Sequence, residues 1–360
     1  MHIVIMAGGQ GTRLWPMSRQ NKPKQLFNLI SDQSMLKDTI DRFQGKIPIE
    51  NIYINPNKNY ISEIKKQIPD FPPENIIAEP VPRNTASAIG LCCTYIYKKD
   101  PQAVAAFLPA DHRISNPKKF VNYILEAGKI AKKFQRIVLL GIKPTFPHTG
   151  LGYINIGKQI NTHNKTEAYN IRQFIEKPDL KTAKKFFNSR SYLWNAGMYI
   201  TPVKIMLDAF KKHLPDSSTA LEKIATAIGT KHEKTALKKY FPDMENIPID
   251  YGVSEKEKDL IGIPADDIGW SDIGTWKTLM DELCQNGDEK LCNVTKGEIY
   301  QVDTDNSLIY SLSKPIATVG VKDLIIVDTP DITLVCSKDK ANDVKKIIDL
   351  LKANKQDKYL

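Results

Sequence analysis

Ile3-Val4-Ile5-Met6-Ala7-Gly8-Gly9-Gln10-Gly11-Thr12-Arg13-Leu14 is the stretch that decides the architecture. A short unbroken apolar run is what a strand buried on both faces looks like. Three glycines within four residues then let the backbone turn tightly and bring its N–H groups up to a ligand. Such amides, backed by a helix N-terminus, make an anion site. Many strand-to-helix turns carry glycines for packing alone, so the turn is not specific by itself. A Walker loop requires Lys after the last glycine, and none follows Gly11. A GxGxxG dinucleotide fingerprint read from Gly9 meets Leu14 where its third glycine belongs, so neither motif applies.

The same strand pattern recurs downstream. Ile52–Ile54, Ala103–Leu108 and Ile137–Ile142 are short apolar runs bounded by Gly, Pro, Asn or Asp. Between them lie amphipathic segments. Phe120, Ile124, Ala127, Ala131 and Phe134 recur at helical spacing, with Asn116 as N-cap and Pro117 as first helical residue. Asn84 is placed to cap another helix, carrying Ile89, Cys92, Cys93 and Ile96. Alternating strands and helices predict a mostly parallel sheet covered by helices on both sides. From about residue 150 the pattern loosens. Leu221, Ile224, Ala225 and Ile228 share a helix face that Gly229 ends, Thr201 and Pro202 read as the start of a helix, and another runs through Trp276, Leu279, Met280 and Leu283. Between 293 and 336, regular β-branched runs (Ile299–Val302, Ile316–Val319, Leu324–Val327, Ile332–Val335) predict a small β domain. Val344, Ile347, Ile348 and Leu351 form a closing helix, and the lysine-rich end is expected to fray. The boundary is placed near Gly287, giving domains 1–286 and 287–360.

Composition narrows the class. The chain has 360 residues, 41% hydrophobic and 26% charged, which excludes a disordered tail, a collagen-like repeat and a disulfide-stapled miniprotein. Fifty-one Lys and Arg against 41 Asp and Glu leave +10, pointing to a polyanionic partner. A nucleic-acid binder would show a basic stripe interleaved with aromatics. Here lysines such as Lys118-Lys119 and Lys211-Lys212 are scattered on helices beside acids, so neither nucleic acid nor membrane is expected as a partner. No stretch approaches the roughly 20 apolar residues of a membrane span, and Ile3–Met6 is too short for a signal-peptide core. The five cysteines form no CxxC pair and read as reduced thiols of a cytoplasmic protein.

After the glycines come Arg13, Trp15-Pro16, Ser18-Arg19 and Pro23-Lys24-Gln25. Arg13 and Lys24 set two cations just past an anion-binding turn, where a triphosphate needs neutralising. The string GGQGTRLWPMSRQNKPKQ resembles the opening of the sugar-1-phosphate nucleotidyltransferases, and its Trp15 and Ser18-Arg19…Pro23-Lys24-Gln25 spacing resembles their mannose-1-phosphate guanylyltransferase branch. Further segments are similar in the same order. Glu79-Pro80-Val81-Pro82-Arg83-Asn84-Thr85-Ala86 resembles EPxxRNTA, implied to line the nucleotide site near the base. Asn84 offers the donor and acceptor that a purine edge requires. Asp111, after Leu108-Pro109-Ala110, belongs at the carboxyl end of a buried strand, where open α/β sheets bind ligands. The resemblance makes it a Mg²⁺ ligand. Asp272 in Trp270-Ser271-Asp272-Ile273-Gly274-Thr275-Trp276 matches the second metal segment; otherwise it would cap the following helix.

On the sugar side, Thr149-Gly150-Leu151-Gly152-Tyr153-Ile154 is similar to TGYGYI, with Leu151 replacing the usual aromatic. Phe174-Ile175-Glu176-Lys177-Pro178 resembles FxEKP, in which Glu holds sugar hydroxyls and Lys neutralises the sugar phosphate. Trp194-Asn195-Ala196-Gly197-Met198 resembles WNSGM, with Asn195 a hydroxyl partner and Ala196 in place of Ser. Asp250-Tyr251-Gly252-Val253-Ser254-Glu255-Lys256 resembles DYxVxEK, with Ser254 where Met is usual.

The resemblance implies a Rossmann-like mixed sheet of the nucleotide-diphospho-sugar transferase type. It also implies a small left-handed β-helical C-terminal domain often used in dimer contacts, hence a homodimer. The implied reaction is transfer of GMP from GTP to α-D-mannose 1-phosphate, giving GDP-mannose and pyrophosphate. Gly8, Gly9, Gly11, Thr12, Arg13, Lys24, Arg83, Asn84 and Thr85 are then the nucleotide residues, and Gly150, Glu176, Lys177 and Asn195 the sugar-phosphate residues. Arg13, Lys24, Asp111, Lys177 and Asp272 carry catalysis, with Mg²⁺ on Asp111 and Asp272. A different hexose 1-phosphate or nucleoside triphosphate is the rival reading, followed by a non-catalytic nucleotide sensor, whose expected losses at Lys24, Asp111 or Asp272 are absent.

Overall fold

In the computed structural model, which describes residues 1–9, 11–162, 166–284 and 292–360, Ile3, Val4 and Ile5 are fully buried in strand β1 (His2–Ala7). The chain divides into two compact units that interleave along the sequence. One comprises residues 1–8, 39–110 and 114–270, the other 9–38, 111–113 and 271–360. The boundary expected at 286/287 lies outside the described residues.

The first unit holds an eight-stranded sheet. Its strands are β1, β2 (Ile52–Pro56), β3 (Val104–Pro109), β4 (Ile137–Ile142), β5 (Tyr153–Ile160), β6 (Ala168–Ile175), β7 (Tyr192–Pro202) and β8 (Leu260–Pro264). Their order is β2-β1-β3-β7-β4-β8-β6-β5, with β5 also pairing β7. β1 runs parallel to both neighbours, with Ile5 opposite Ile54 and Leu108, and β4 runs parallel to β8. This is the mostly parallel mixed sheet expected from the alternating pattern. The antiparallel part, β5 to β7, falls where the pattern loosened: β5 and β6 mix buried with half-buried and exposed positions, so no clean period of two emerges. Thr201 and Pro202 end β7, and Pro202 is at the same time the N-cap of the helix that opens at Val203, where a helix start was expected.

The flanking helices include α1 (Thr85–Lys99), α2 (Pro117–Phe134), α3 (Leu180–Ser189), α4 (Val203–His213) and α5 (Pro215–Ala227). α2 begins as expected: Asn116 accepts a hydrogen bond from the Lys119 backbone N–H, and Pro117 is the first helical residue. α1 does not. Asn84 stands at its N-cap position but makes no capping bond, because its side chain is turned to Asn246. Gly90 lets α1 meet α4 and α5 closely: a Cβ there would lie 2.8 Å from Leu221 and Phe210 side-chain carbons.

The second unit joins the segment 9–38 to helix α6 (Trp276–Leu283) and six short strands, β9 (Val294–Lys296), β10 (Ile299–Val302), β11 (Leu308–Ser311), β12 (Ile316–Val319), β13 (Leu324–Asp328) and β14 (Thr333–Ser337). Val294, Leu308 and Ile325 stack in register on parallel β9, β11 and β13, and β10 pairs with β12 in the same sense, the pattern of a β-helix. Helix α7 (Val344–Ala353) closes the unit on Val344 and Ile348. These strands share one core with the segment 9–38. Trp276 is fully buried, packs edge-on against Tyr310, and donates its indole N–H to the Trp15 carbonyl at 2.9 Å.

Two expectations are corrected in this unit. Cys284 and Cys292 form a disulfide with a Cα separation of 5.8 Å, within bridging range, while Cys92, Cys93 and Cys336 are thiols. A spacing of eight residues matches no familiar cysteine motif, and only the fold brings the pair together. The lysine-rich end is not frayed: a turn at Asp357–Tyr359 sets the Tyr359 carbonyl 2.7 Å from the Trp15 indole nitrogen.

Candidate active site

In the second unit, the glycine loop is shaped by Gly11, whose φ of +61° lies in the left-handed region that favours glycine. A Cβ there would sit 2.4 Å from the Lys24 Cβ, so only glycine lets Lys24 pass so close. Ser18 donates its hydroxyl to the Gly11 carbonyl at 2.6 Å, and Gln25 its amide to the Gly9 carbonyl at 3.0 Å. Thr12 and Arg13 form the short turn that follows, with Arg13 exposed.

Lys24 is 3% exposed and its ammonium is engaged by an acid and by the backbone of another. It donates to Asp111 Oδ2 at 3.0 Å and to the Asp272 carbonyl at 2.6 Å. Burial pushes the Asp111 carboxyl up, but the Lys24 charge and hydrogen bond, the nearby His112 and a backbone hydrogen bond together hold it below the usual carboxylate value. Asp272 is not a helix cap. Thr275 caps α6 by accepting from the Thr278 backbone N–H, while Asp272 Oδ1 accepts from Gly274 N at 3.2 Å. A Cβ on Gly274 would lie 2.8 Å from Asp272 Oδ2 and 3.2 Å from Arg13 Nη1, so that glycine leaves room for both side chains. Arg13, Lys24, Asp111 and Asp272 therefore converge around one loop.

In the first unit, the segment Arg83-Asn84-Thr85 is tied to residues 242–249. Arg83 donates to the Pro242 carbonyl, Asn84 Nδ2 to Asn246 Oδ1 at 2.9 Å, and Ile249 N to Thr85 Oγ1 at 2.9 Å. Glu79 is a site candidate that sequence reasoning passed over. It is 3% exposed, its Oε2 has no hydrogen-bond partner among the described residues, and Oε1 lies 2.6 Å from where a Gly8 Cβ would be. Burial pushes its carboxyl up to about 8, the Arg83 backbone N–H opposing.

Also in this unit, Glu176, Lys177 and Asn195 gather around Gly152. A Cβ on Gly152 would lie 2.5 Å from Glu176 Oε2 and 3.3 Å from the Asn195 Cβ. Gly150 has a different neighbour, donating its N–H to His148 Nδ1 at 2.8 Å. Lys177 Nζ is 2.5 Å from Glu176 Oε1. Burial raises the Glu176 carboxyl, the Asp250 charge adds to the rise, and Lys177 opposes it. Behind Asn195 lies a buried chain of hydrogen bonds. Asp250 Oδ1 accepts from Asn195 Nδ2 at 2.9 Å and from the Tyr199 hydroxyl at 2.8 Å, and Tyr199 meets Ser254 Oγ at 2.8 Å. Since the tyrosine proton goes to the carboxylate, Ser254 is the donor to Tyr199. Asn195 Oδ1 accepts from Gly197 N at 3.1 Å, which fixes which end of the carboxamide is which. Glu255 Oε1 accepts from Glu176 N at 3.1 Å. Asp250, Ser254 and Glu255 stand in the quoted DYxVxEK-like segment, but only the fold reveals what they touch.

A glycine loop with clustered acids and cations beside it defines a phosphate-handling transferase, and comparison with known proteins agrees. The nucleotidyl transferase family model matches residues 2–289, and the MannoseP isomerase/GMP-like beta-helix domain model matches 297–351. The chain belongs to the nucleotidyl transferase family. It is 37% identical over 352 residues to a mannose-1-phosphate guanylyltransferase of Escherichia coli, covering 97% of this chain and 75% of that protein. A mannose-1-phosphate guanylyltransferase of Salmonella typhimurium is likewise 37% identical, with 99% and 73% covered. A solved structure from Thermus thermophilus, described as a mannose-1-phosphate geranyltransferase, superposes with a TM-score of 0.85 at 28% identity, covering 98% of this chain and 99% of that one. Among the described residues no helix is long and apolar enough to cross a membrane.

Proposed function

We propose that this protein transfers GMP from GTP to α-D-mannose 1-phosphate, releasing pyrophosphate and forming GDP-mannose. The observation that carries the reading is the buried Lys24 ammonium held between Asp111 and the Asp272 backbone beside the glycine loop. The names of the relatives supply the substrates. A sugar-phosphate oxygen attacks the α-phosphorus in line; the new P–O bond forms as the bond to the β-phosphate bridging oxygen breaks. Alignment and charge neutralisation do most of the work.

Each residue then has a task. The amides of Gly8, Gly9, Gly11 and Thr12 cradle phosphate, Arg13 and Lys24 hold the β- and γ-phosphates and the leaving pyrophosphate, and Arg83, Asn84 and Thr85 serve the base end of the nucleotide. Lys177 neutralises the sugar phosphate, while Gly150, Glu176 and Asn195 meet the sugar. Asp111 and Asp272 would hold a divalent cation, proposed to be Mg²⁺. Their oxygens suit a hard cation, and Lys24 already shows that a positive charge is stable against Asp111. No group of three or more His, Cys, Asp or Glu poised for a metal stands among the described residues. Two carboxylates with substrate phosphates are a usual set for Mg²⁺. When bound, such an ion supplies charge stabilisation at phosphoryl oxygens.

We assign catalysis to residues 1–286 and the β-helical domain to 287–360, an assignment supported by the ranges of the two family models. We also propose a homodimer in the cytoplasm, where GTP is available, with no nucleic-acid or membrane partner. The pairing surface is the outer face of β10 and β12, where Tyr300, Val302 and Val319 are 60%, 57% and 70% exposed. A panel of four nucleoside triphosphates against several sugar 1-phosphates, following pyrophosphate, tests the chemistry. Preference for another pair would replace this reading with the sister activity.

A further inference from the structure

Arg19 belongs to the Ser18-Arg19 pair of the opening string, yet it has no task in the chemistry above. Its guanidinium grips Asp331 with both forks, Nη1 to Oδ2 and Nη2 to Oδ1, each at 2.5 Å. Nη2 also reaches Thr329 Oγ1 at 3.2 Å, and Nε donates to the Pro16 carbonyl at 3.0 Å. Asp331 and Thr329 lie on the turn between β13 and β14. The Arg19 hydrogen bond, first among several, holds the Asp331 carboxyl down at about 2.

Single surface ion pairs contribute little to stability, and this one is partly exposed. A two-pronged Arg–carboxylate pair is different in kind because it fixes direction as well as distance. What it fixes is the chain just after the glycines. Residue by residue, Asp331 holds Arg19, Arg19 holds the Pro16 carbonyl, and Ser18 holds the Gly11 carbonyl. Trp15 is gripped independently, donating to the Tyr359 carbonyl and accepting from Trp276.

We infer that the β13–β14 turn, through Asp331 and Arg19, is a positioning element for the phosphate loop, so that the strand domain sets how tightly the nucleoside triphosphate is held. The inference rests on the proposed role of Gly9–Leu14 in binding GTP. Arg19 and Asp331 touch no substrate; they act through the loop backbone.

The test uses the full chain carrying Asp331→Asn and, separately, Arg19→Lys, which keeps the charge but removes the fork. Steady-state kinetics with each substrate varied should show the KM for GTP raised about tenfold, the scale of one charge-assisted hydrogen bond, with the KM for mannose 1-phosphate unchanged. Hydrogen exchange should quicken in residues 11–19 while the eight-stranded sheet stays protected. The double variant Arg19→Asp/Asp331→Arg, which restores the pair in reverse, should recover part of the GTP affinity. Unchanged GTP kinetics and unchanged loop exchange in both single variants would overturn the inference. So would an equal rise in both KM values with a general fall in protection, since that is loss of stability alone. If the wild type does not use GTP, the functional reading fails, and the exchange measurement still decides the coupling.

Discussion

Lys24 and Asp111 stand 87 residues apart in sequence, and the Lys24 ammonium lies 3.0 Å from Asp111 Oδ2. A buried cation against a half-buried acid costs desolvation on both sides, so the pair reads as preorganisation for a charged ligand more than as a stabilising contact.

Replacing Asp111 with Asn keeps the shape and removes the charge. Turnover is expected to fall about 10²–10³-fold, the range for losing one preorganised electrostatic group, with an unchanged far-ultraviolet circular dichroism spectrum. Pyrophosphate release near the wild-type rate would reject the metal-holding role.

The role proposed for Lys177 is to neutralise the sugar phosphate. For Lys177→Ala, the KM for mannose 1-phosphate should rise roughly tenfold or more, as expected for a lost ionic hydrogen bond, while the KM for GTP holds. Unaltered kinetics for the sugar phosphate would remove Lys177 from the site.

Gly11→Ala forces a side chain into the left-handed region, at about 1–2 kcal/mol, and drives its Cβ to 2.4 Å from the Lys24 Cβ. Lys24 must move, and in the role proposed for it a displacement of ~1 Å costs on the order of a hundredfold in rate. An alanine variant with wild-type kcat/KM would show that the loop does not set the lysine.

Glu79 predicts a pH dependence of stability. Its carboxyl sits at about 8 in the folded protein against an ordinary value of 4.5, so the folded state binds the extra proton between those values. Stability therefore falls as pH rises through that window, with the full penalty present above it and none below it. Glu79→Gln lacks the ionisation, so its Tm advantage over the wild type should grow between about pH 5 and pH 8.5. An offset that is flat with pH would show that Glu79 has a partner for its charge.

Legibility from sequence followed burial. β1 to β4 could be read because their side chains are buried almost throughout, leaving unbroken apolar runs. β5 and β6 could not, because half-exposed faces dilute both the period of two and the apolar run. Single polar residues divided according to whether their partner was local. Asn116 finds its partner three residues on and was assigned correctly. Asn84 prefers Asn246, 162 residues away, and no local rule foresees that. Arg13, Lys24, Asp111 and Asp272 were named from motif order, and they do gather at one loop. Asp250, the residue that orients Asn195, was quoted within its segment without a task, since a carboxylate facing an amide across 55 residues leaves no mark on spacing.

The interleaving of the two units also bears on the order in which the protein can be made. Arg19 is synthesised 312 residues before Asp331, and Trp15 344 residues before the Tyr359 carbonyl that receives its N–H. Chains emerge from the ribosome N-terminal end first and fold domain by domain. Here the opening residues, glycine loop included, must wait for residues 329–359 to be translated before their unit can close. A nascent chain therefore carries no finished glycine loop until residues 329–359 have emerged, and a fragment released before them lacks one altogether.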